Sequence, residues 1–222
     1  MILSKEKCRE LIARRVAQEV NEGDVITLGI GLPTEVANYI PEDMMVMLQS
    51  ENGMIGGGKR DLNATGNAKI TNAGGLPVLT RQGAVFFDTA MSFTIIRGGH
   101  VDITVMGALQ VDSHGNLANW MIPGSVIPGM GGAMDLTVGA KKVIIAMEHT
   151  TPKGEARIVK DCTLPLTARN EVDMIVTERC VIDVTPEGLV LKEIMPSFSL
   201  DEIINSTDAP LIIPDEIARK AL

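Results

Sequence analysis

Residues 44–58, MMVMLQSENGMIGGG, are the most informative stretch of the chain. Residues 44–48 are a short apolar run that follows Pro41 and precedes an Asn-Gly pair, which predicts a buried β-strand. Glu51 is therefore expected at the carboxyl end of a core strand, where α/β sheets bind their ligands. Four glycines over residues 53–58 follow, and glycine lets backbone N–H groups approach a ligand closely. The stretch predicts a site whose carboxylate acts as a base, an acid, a metal ligand or a nucleophile.

The sequence before this stretch alternates helical and strand patterns. Residues 4–23 predict an amphipathic helix ended by Gly23, because apolar side chains recur at spacings of three and four. A strand at residues 25–28 follows, and a glycine turn at residues 29–33 opens a second helix. Continuous apolar strands that alternate with helices are typical of a parallel or mixed sheet covered on both faces. We expect an α/β fold in one domain over residues 1–222.

The remainder of the chain continues the same pattern. It predicts a helix capped by Asp88, apolar strands over residues 101–109 and 143–147, a hairpin turn at residues 185–188, and a late helix opened by a capping box at Ser199. These elements complete the alternation expected of an α/β protein.

Composition disfavours several functional classes. The net charge of −8 and the 3% aromatic content argue against nucleic-acid binding, since phosphates recruit basic surfaces and stacked bases need aromatic rings. No apolar stretch reaches membrane-spanning length, and the first residues carry charges where a signal peptide is apolar. The three cysteines are scattered, which suits a reducing compartment. We expect a cytoplasmic protein without nucleic-acid or membrane partners.

Three familiar kinds of site receive little support from the sequence. The three histidines, His100, His114 and His149, lie far apart and show no metal-ligand spacing, so no metal is expected. A Gly-x-Ser-x-Gly nucleophile elbow is absent from the sequence. The glycine turn lacks the third glycine of a dinucleotide-binding fingerprint, because Thr34 stands in its place.

Two glycine clusters remain as candidates for binding negative charge. One is residues 29–31, GIG, and the other is residues 129–132, GMGG, before a predicted helix. Such clusters either make tight turns or present backbone amides to an oxyanion or another anion. Glu51 either faces these clusters or is a solvated glutamate in a turn. The residues alone therefore predict an α/β enzyme or a binding domain.

Residues 48–53, LQSENG, closely resemble the Ser-Glu-Asn-Gly signature of class I coenzyme A transferases. The likeness runs from about residue 13 to residue 207. Over this range the chain is similar to the β subunit or to the C-terminal half of the fused enzymes. Its segments include LGIGLP at 28–33, NAGG at 72–75, RGGH at 97–100, GALQV at 107–111, NLANW at 116–120, GMGGAMD at 129–135 and KVIIAMEH at 142–149. Residues 59–69 follow no family pattern. The resemblance implies a single three-layer, Rossmann-like domain with a mostly parallel sheet.

The resemblance implies that Glu51 is a nucleophile. Its carboxylate would attack an acyl-CoA to form an acyl-glutamyl anhydride, and CoA thiolate would convert this into a glutamyl-CoA thioester by ping-pong catalysis. The expected oxyanion or CoA contacts, by likeness and composition, are Gly29, Ile30, Gly31, Asn52, Gly131 and Gly132. Asn52 either orients Glu51 or makes the turn, and Asp135 is expected to cap a helix. Coenzyme A or acyl-CoA would be a substrate, with no permanently bound cofactor.

The resemblance also implies partners. The chain would need an α subunit, as a heterodimer or an α2β2 assembly, and would act on small acids such as acetoacetate, acetate, butyrate or succinate. Lys141 and Lys142 are local candidates for contacts with CoA phosphates, or they are a solvated pair. The alternatives are an acyl-CoA hydrolase, a sugar-phosphate isomerase that uses Glu51 as a base, and a non-catalytic ligand-binding module on the same scaffold.

Overall fold

A computed structural model describes residues 3–61, 69–124 and 129–220 of the chain. The helices are α1 (Lys5–Ala17), a 3-10 helix (Leu32–Asn38), α2 (Thr89–Arg97), α3 (Ala133–Gly139), α4 (Leu200–Ser206) and α5 (Asp215–Lys220). The strands are β1 (Val25–Leu28), β2 (Met47–Ser50), β3 (Met54–Arg60), β4 (Val78–Phe86), β5 (Val101–Met106), β6 (Gln110–Asp112), β7 (Leu117–Ala118), β8 (Ala140–Ala146), β9 (Ile158–Val159), β10 (Met174–Val176), β11 (Cys180–Thr185), β12 (Gly188–Ile194) and β13 (Leu211–Ile212). Most of the unpatterned segment at residues 59–69 lies outside the described residues.

The main sheet of the described chain has ten strands in the order β13-β12-β11-β10-β8-β5-β1-β2-β3-β4. Its centre, from β10 to β2, is parallel. Antiparallel pairs extend it on both sides through β3 and β4 and through β11 and β12. The expected α/β fold with a mostly parallel sheet is confirmed. Since the central strands are parallel, their carboxyl ends share one edge, where a site can form.

Each face of the sheet is covered by a separate apolar cluster. On one face Ile12 of α1 and Val36 of the 3-10 helix pack with Ile26 of β1. On the other face Ile96 of α2 and Leu136 of α3 belong to a second cluster, which includes residues of the small sheet β7-β6-β9. Parallel strands are buried on both faces, so their side chains are apolar in both directions. None of the helices in the described ranges has the length and apolar character needed to cross a bilayer.

Caps and turns that depend on neighbouring residues agree with the sequence predictions. Asp88 caps α2, and its carboxylate accepts a hydrogen bond from the Met91 amide at 2.8 Å. Ser199 and Glu202 form the predicted capping box of α4. The hairpin between β11 and β12 also turns where it was expected, with Thr185 paired to Gly188. These predictions are confirmed because each is set by a few adjacent residues.

Two element boundaries before Glu51 were predicted wrongly, and the strand expected over residues 101–109 ends at Met106. The first helix ends at Ala17 rather than at Gly23, because the Gly23 amide already donates to the Met45 carbonyl at 2.7 Å, in the turn that leads to β1. The strand before Glu51 is β2 rather than residues 44–48, since β2 pairs with β1 from Met47 onward. The polar end of β2 belongs to the sheet although the apolar run has already stopped.

The glycines after Glu51 have a structural role that the sequence did not reveal. Gly56, Gly57 and Gly58 lie within β3 rather than in a loop. A Cβ atom on Gly56 would lie 2.8 Å from Ala84 Cα, and one on Gly58 would lie 3.1 Å from the Leu79 carbonyl oxygen. Side chains at these positions would separate β3 from β4, so the glycines allow close strand packing.

Candidate functional site

A cavity of about 690 Å³ opens at the carboxyl edge of the sheet. Glu51 follows β2 and reaches it from one side, while the glycine turn after β1 and the residues before α3 approach from the others. Four of the predicted site residues line its wall together with Glu51: Gly29, Ile30, Gly131 and Gly132. Gly31 lines a neighbouring cavity instead. The parallel strands thus bring together segments that are about 80 residues apart in the sequence.

The Glu51 carboxylate is half-buried and lies against backbone. Among the described residues, its Oε2 atom is buried without a hydrogen-bond partner. A Cβ atom on Gly132 would overlap Oε2 and would lie 3.0 Å from Phe93 Cζ. Burial, followed by the nearby charge of Asp135, raises the pKa of Glu51 above its ordinary value. The carboxylate is therefore held in a poorly solvated position that only a glycine at residue 132 permits.

Asp135 lies inside the first turn of α3 and not at the N-cap position that was predicted for it. The N-cap of α3 is Gly132, which makes no side-chain capping bond, and Asp135 lies in the first turn of the helix. Its Oδ1 atom accepts a hydrogen bond from Arg97 Nε at 2.7 Å. The prediction of a cap was wrong. Nothing in the sequence indicated that the Asp135 charge would act on Glu51, since the two residues are far apart in the chain.

The backbone amides of the two glycine clusters are not equivalent. The Gly29 amide donates to the Val105 carbonyl at 2.8 Å, so the sheet already uses it. The Gly31 carbonyl accepts from the Thr34 amide and hydroxyl, which makes Gly31 part of a turn. Within the described ranges, the amides of Ile30, Gly31, Gly131 and Gly132 donate to no other group, and all of these residues except Gly31 line the Glu51 cavity. The amides of the three lining residues are left available to a ligand in the cavity.

The side chains on either side of Glu51 point to another segment. The Asn52 side-chain Nδ2 donates to the Thr71 carbonyl at 2.9 Å, and Ser50 Oγ accepts from the Ala73 backbone amide at 3.0 Å. Gly53 then turns the chain with φ near +109°, where a Cβ atom would overlap the Phe87 carbonyl oxygen. Of the two roles left open for Asn52, the geometry favours a tether within the turn over a contact with Glu51.

A buried polar network lies beneath Glu51 and was not predicted from the sequence. Thr27 donates to Gln49 Oε1 at 2.7 Å, and Gln49 Nε2 donates to Ser92 Oγ at 2.7 Å. All three side chains are buried, so the bonds connect β2 to β1 and α2 in a low-dielectric environment. A glutamine at the end of an apolar strand is the one signal that could have indicated this network.

The other titratable residues singled out from the sequence lie elsewhere. His149 is fully buried, its ring nitrogens lie 3.0 Å from the hydroxyls of Thr177 and Thr207, and burial lowers its pKa to about 3. No cluster of three or more His, Cys, Asp or Glu side chains able to hold a metal occurs among the described residues. Lys141 and Lys142 form ion pairs with Asp102 and Glu19 at the amino end of β8, at the opposite edge from the cavity.

The chain matches known proteins over most of its length. Residues 9–206 match the sequence profile of a family described as Coenzyme A transferase. The chain is 52% identical to the beta subunit of the acetate CoA-transferase of Haemophilus influenzae, over 94% of this chain and 93% of that protein. It is 41% identical to a subunit of the probable succinyl-CoA:3-ketoacid coenzyme A transferase of Bacillus subtilis, over 96% of this chain and 98% of that protein.

A solved structure gives a similar result. An acyl-CoA transferase of Escherichia coli O157:H7, in a thioester complex with CoA, superposes with a TM-score of 0.73 at 26% identity. The match covers 98% of this chain and 44% of that one. The present chain therefore spans less than half the length of that protein.

Proposed function

We propose that this chain, which belongs to the coenzyme A transferase family as a β-type subunit, transfers coenzyme A between an acyl-CoA and a small carboxylic acid with Glu51 as nucleophile. The observation that carries the proposal is the Glu51 carboxylate, buried against Gly132 at the carboxyl edge of the sheet. A carboxylate with few donors to stabilise its charge is more basic and more reactive than a solvated one.

The first half of the reaction loads Glu51 with CoA. A carboxylate oxygen of Glu51 attacks the thioester carbonyl carbon, a C–O bond forms, and the C–S bond breaks to release CoA thiolate. The thiolate then attacks the glutamyl carbonyl carbon of the resulting anhydride and expels the donor acid as its carboxylate. A glutamyl-CoA thioester remains, so the activation energy of the thioester is retained without ATP.

The second half runs the same steps with another acid. The acceptor carboxylate attacks the glutamyl thioester carbonyl and releases CoA thiolate, which then attacks the acyl carbon of the new anhydride. The products are the new acyl-CoA and the Glu51 carboxylate. Each addition places a negative charge on a carbonyl oxygen, and preorganised amides stabilise such charge strongly. The amides of Ile30, Gly131 and Gly132 support this role because these residues line the cavity and their amides have no other acceptor among the described residues.

The names of similar proteins support a short acid as substrate. One relative is part of an acetate CoA-transferase and another is part of a probable succinyl-CoA:3-ketoacid CoA-transferase. We infer a 3-oxoacid or short-chain fatty acid, such as acetoacetate, acetate, butyrate or succinate. CoA itself acts as a substrate rather than as a resident cofactor.

The names of these relatives as subunits also support an α partner for this chain, as a heterodimer or an α2β2 assembly. An acidic β chain with net charge −8 would then share the binding of the CoA phosphates with that partner. We further infer a cytoplasmic location, which is supported by Cys8, Cys162 and Cys180 being free thiols.

The direct test is detection of the covalent intermediate. The chain is assembled with its α-type partner and incubated with acyl-CoA in the absence of an acceptor acid, and the digested protein is examined by mass spectrometry. We expect CoA on the peptide that contains Glu51, and its loss when acceptor acid is added. The Glu51→Gln variant is the control and should carry no adduct.

The alternatives give different results in the same experiment. An isomerase that uses Glu51 as a base, or a non-catalytic binding module, would form no adduct. A hydrolase would release CoA continuously without acceptor acid. An active preparation in which Glu51 stays unmodified would rule out covalent catalysis by this residue.

A further inference from the structure

The two polar residues that flank Glu51 direct their side chains to the same short segment. Ser50 Oγ accepts from the Ala73 amide at 3.0 Å, and the Asn52 side chain donates to the Thr71 carbonyl at 2.9 Å. Neither side chain donates to Glu51, whose Oε2 atom has no partner among the described residues. The flanking residues therefore act on the segment at residues 71–76 rather than directly on the carboxylate.

The segment at residues 71–76 is a preformed turn. Asn72 Oδ1 accepts hydrogen bonds from the Gly74 and Leu76 amides, both at 3.0 Å. The Asn72 amide also donates to the Leu76 carbonyl at 2.9 Å. The Gly75 amide donates to the Asn72 carbonyl at 2.9 Å as well. A turn with four internal hydrogen bonds moves as one body, so two tethers at its start are enough to fix it against the end of β2.

The segment forms part of the wall around Glu51. Ala73 lines the Glu51 cavity, while Asn72 and Leu76 line a neighbouring cavity of about 410 Å³. Gly74 packs against Ile30, where an added Cβ atom would lie 3.5 Å from Ile30 Cγ2. The segment thus separates two cavities and touches the turn that carries a candidate oxyanion amide.

We propose that Ser50 and Asn52 are positioning residues, which hold the segment at residues 71–76 in place as a wall that keeps water from the esters of Glu51. The inference rests on the proposed covalent role of Glu51. Both the anhydride and the glutamyl thioester are hydrolysed if water enters the cavity, so a closed wall favours transfer over hydrolysis. Loss of either tether opens the wall while the buried network beneath β2 remains intact.

The test compares hydrolysis with transfer in the assembled enzyme. Ser50→Ala, Asn52→Ala and the double variant are supplied with acyl-CoA, and CoA release without acceptor acid is divided by acyl transfer with acceptor acid. One hydrogen bond changes such an opening equilibrium roughly fivefold, so each single variant should raise the ratio by about fivefold and the double variant by about 25-fold.

Matched controls remove similar bonds far from the cavity. Asn21 is exposed, and its side chain donates to the Glu19 carbonyl at 3.5 Å, while Ser113 donates to the Lys160 carbonyl at 2.7 Å. Asn21→Ala and Ser113→Ala should leave the ratio at the wild-type value. Hydrogen exchange provides a second measurement, because residues 71–76 should exchange faster in Ser50→Ala and Asn52→Ala while β2 stays protected.

Each outcome decides the inference. A raised ratio together with faster exchange in residues 71–76 supports it. An unchanged ratio in both single variants overturns it, whether or not the transfer rate falls, because a purely structural role changes folding and not the fate of the intermediate. Failure of the wild-type enzyme to form a Glu51 adduct is a separate result, which overturns the proposed function before the variants are compared.

Discussion

Two half-buried glutamates at opposite edges of the sheet have opposite surroundings. Glu19 lies between α1 and β1, at the amino edge, and Glu51 follows β2 at the carboxyl edge. Glu19 accepts hydrogen bonds from Arg15 at 2.8 Å and from Lys142 at 2.7 Å. Burial opposes its ionisation, yet the bonds from Lys142 and Arg15 lower its pKa to about 2. This carboxylate connects α1 to β8 as a stable anion.

Glu51 has the same side chain without those partners. Burial and the charge of Asp135 raise its pKa, and no donor reaches its Oε2 atom among the described residues. Neighbouring groups rather than residue type therefore separate a stabilising carboxylate from a reactive one. An ionised carboxylate that is surrounded by cations has little tendency to attack a thioester.

The largest effect is expected when the charge of each glutamate is removed in turn. Glu51→Gln should lower transfer by about 10⁴-fold or more while the protein stays folded, because the amide is not a competent nucleophile. Glu19→Gln should keep its activity per folded molecule. Steady-state transfer assays on the assembled enzyme, with thermal unfolding as the folding check, measure both. Near-normal turnover of Glu51→Gln would contradict the proposed role.

A smaller effect is expected when the position of Glu51 is disturbed. Gly132→Ala places a methyl group where Glu51 Oε2 lies, and a displacement of about 1 Å costs roughly 10²-fold in rate. Gly107→Ala is the matched control, since it lines the same cavity and its Cβ atom would meet nothing within 4 Å. Measured values of kcat for the two variants test the idea, and equal losses in both would argue against a steric requirement at residue 132.

Removing the charge of Glu19 should lower the stability of the folded protein. Glu19→Gln should lower the free energy of unfolding by about 2 kcal/mol, because Arg15 is buried and loses part of its partner set, while the partly exposed Lys142 moderates the effect. The Glu19 pKa is depressed on folding, so its contribution is present above the ordinary value of 4.5 and is lost as pH falls toward about 2.

Urea unfolding across this acid range measures the prediction for Glu19. The wild type should lose stability as pH falls from 4.5 toward about 2, and Glu19→Gln should lose less over the same interval. Parallel curves for the two proteins would show that the ion pairs of Glu19 do not stabilise the fold.

The smallest effect is expected in the pH dependence of kcat/KM. Transfer requires ionised Glu51, so kcat/KM should fall as pH decreases through its raised pKa. Asp135→Asn removes a negative charge that raises this pKa and releases Arg97, so the acid limb should move to lower pH. Asp102→Asn, which removes a similar ion pair with Lys141 at the other edge, should leave the limb in place. Profiles of kcat/KM against pH would show no shift for Asp135→Asn if its charge did not act on Glu51.

Much of the fold was predictable because local signals agreed with one another. The caps at Asp88 and Ser199, the strand at residues 25–28 and the hairpin after residue 180 each depend on a few adjacent residues. The extent of β2 was not predictable in this way. Gln49 is polar, and only its bonds to Thr27 and Ser92, more than 20 residues away, explain its burial in a strand.

The candidate site was predictable in outline only. A strand-end position for Glu51 followed from the pattern, while its role as nucleophile came from the family resemblance and stays a prediction until an adduct is measured. The charge of Asp135 beside Glu51 and the tethers from Ser50 and Asn52 to residues 71–76 had no local signal. Each depends on contacts between segments that are distant in the sequence.

The class of fold, the strand-end position of Glu51 and the family follow from the sequence alone, because periodicity, turn residues and a signature motif are properties of adjacent positions. Only tertiary packing sets the surroundings of the two half-buried glutamates: Glu19 pairs with Arg15 and Lys142, while Glu51 lies against Gly132 and its Oε2 atom has no donor among the described residues. Solvation and charge at a side chain depend on every group that packs around it, and those groups come from distant parts of the chain.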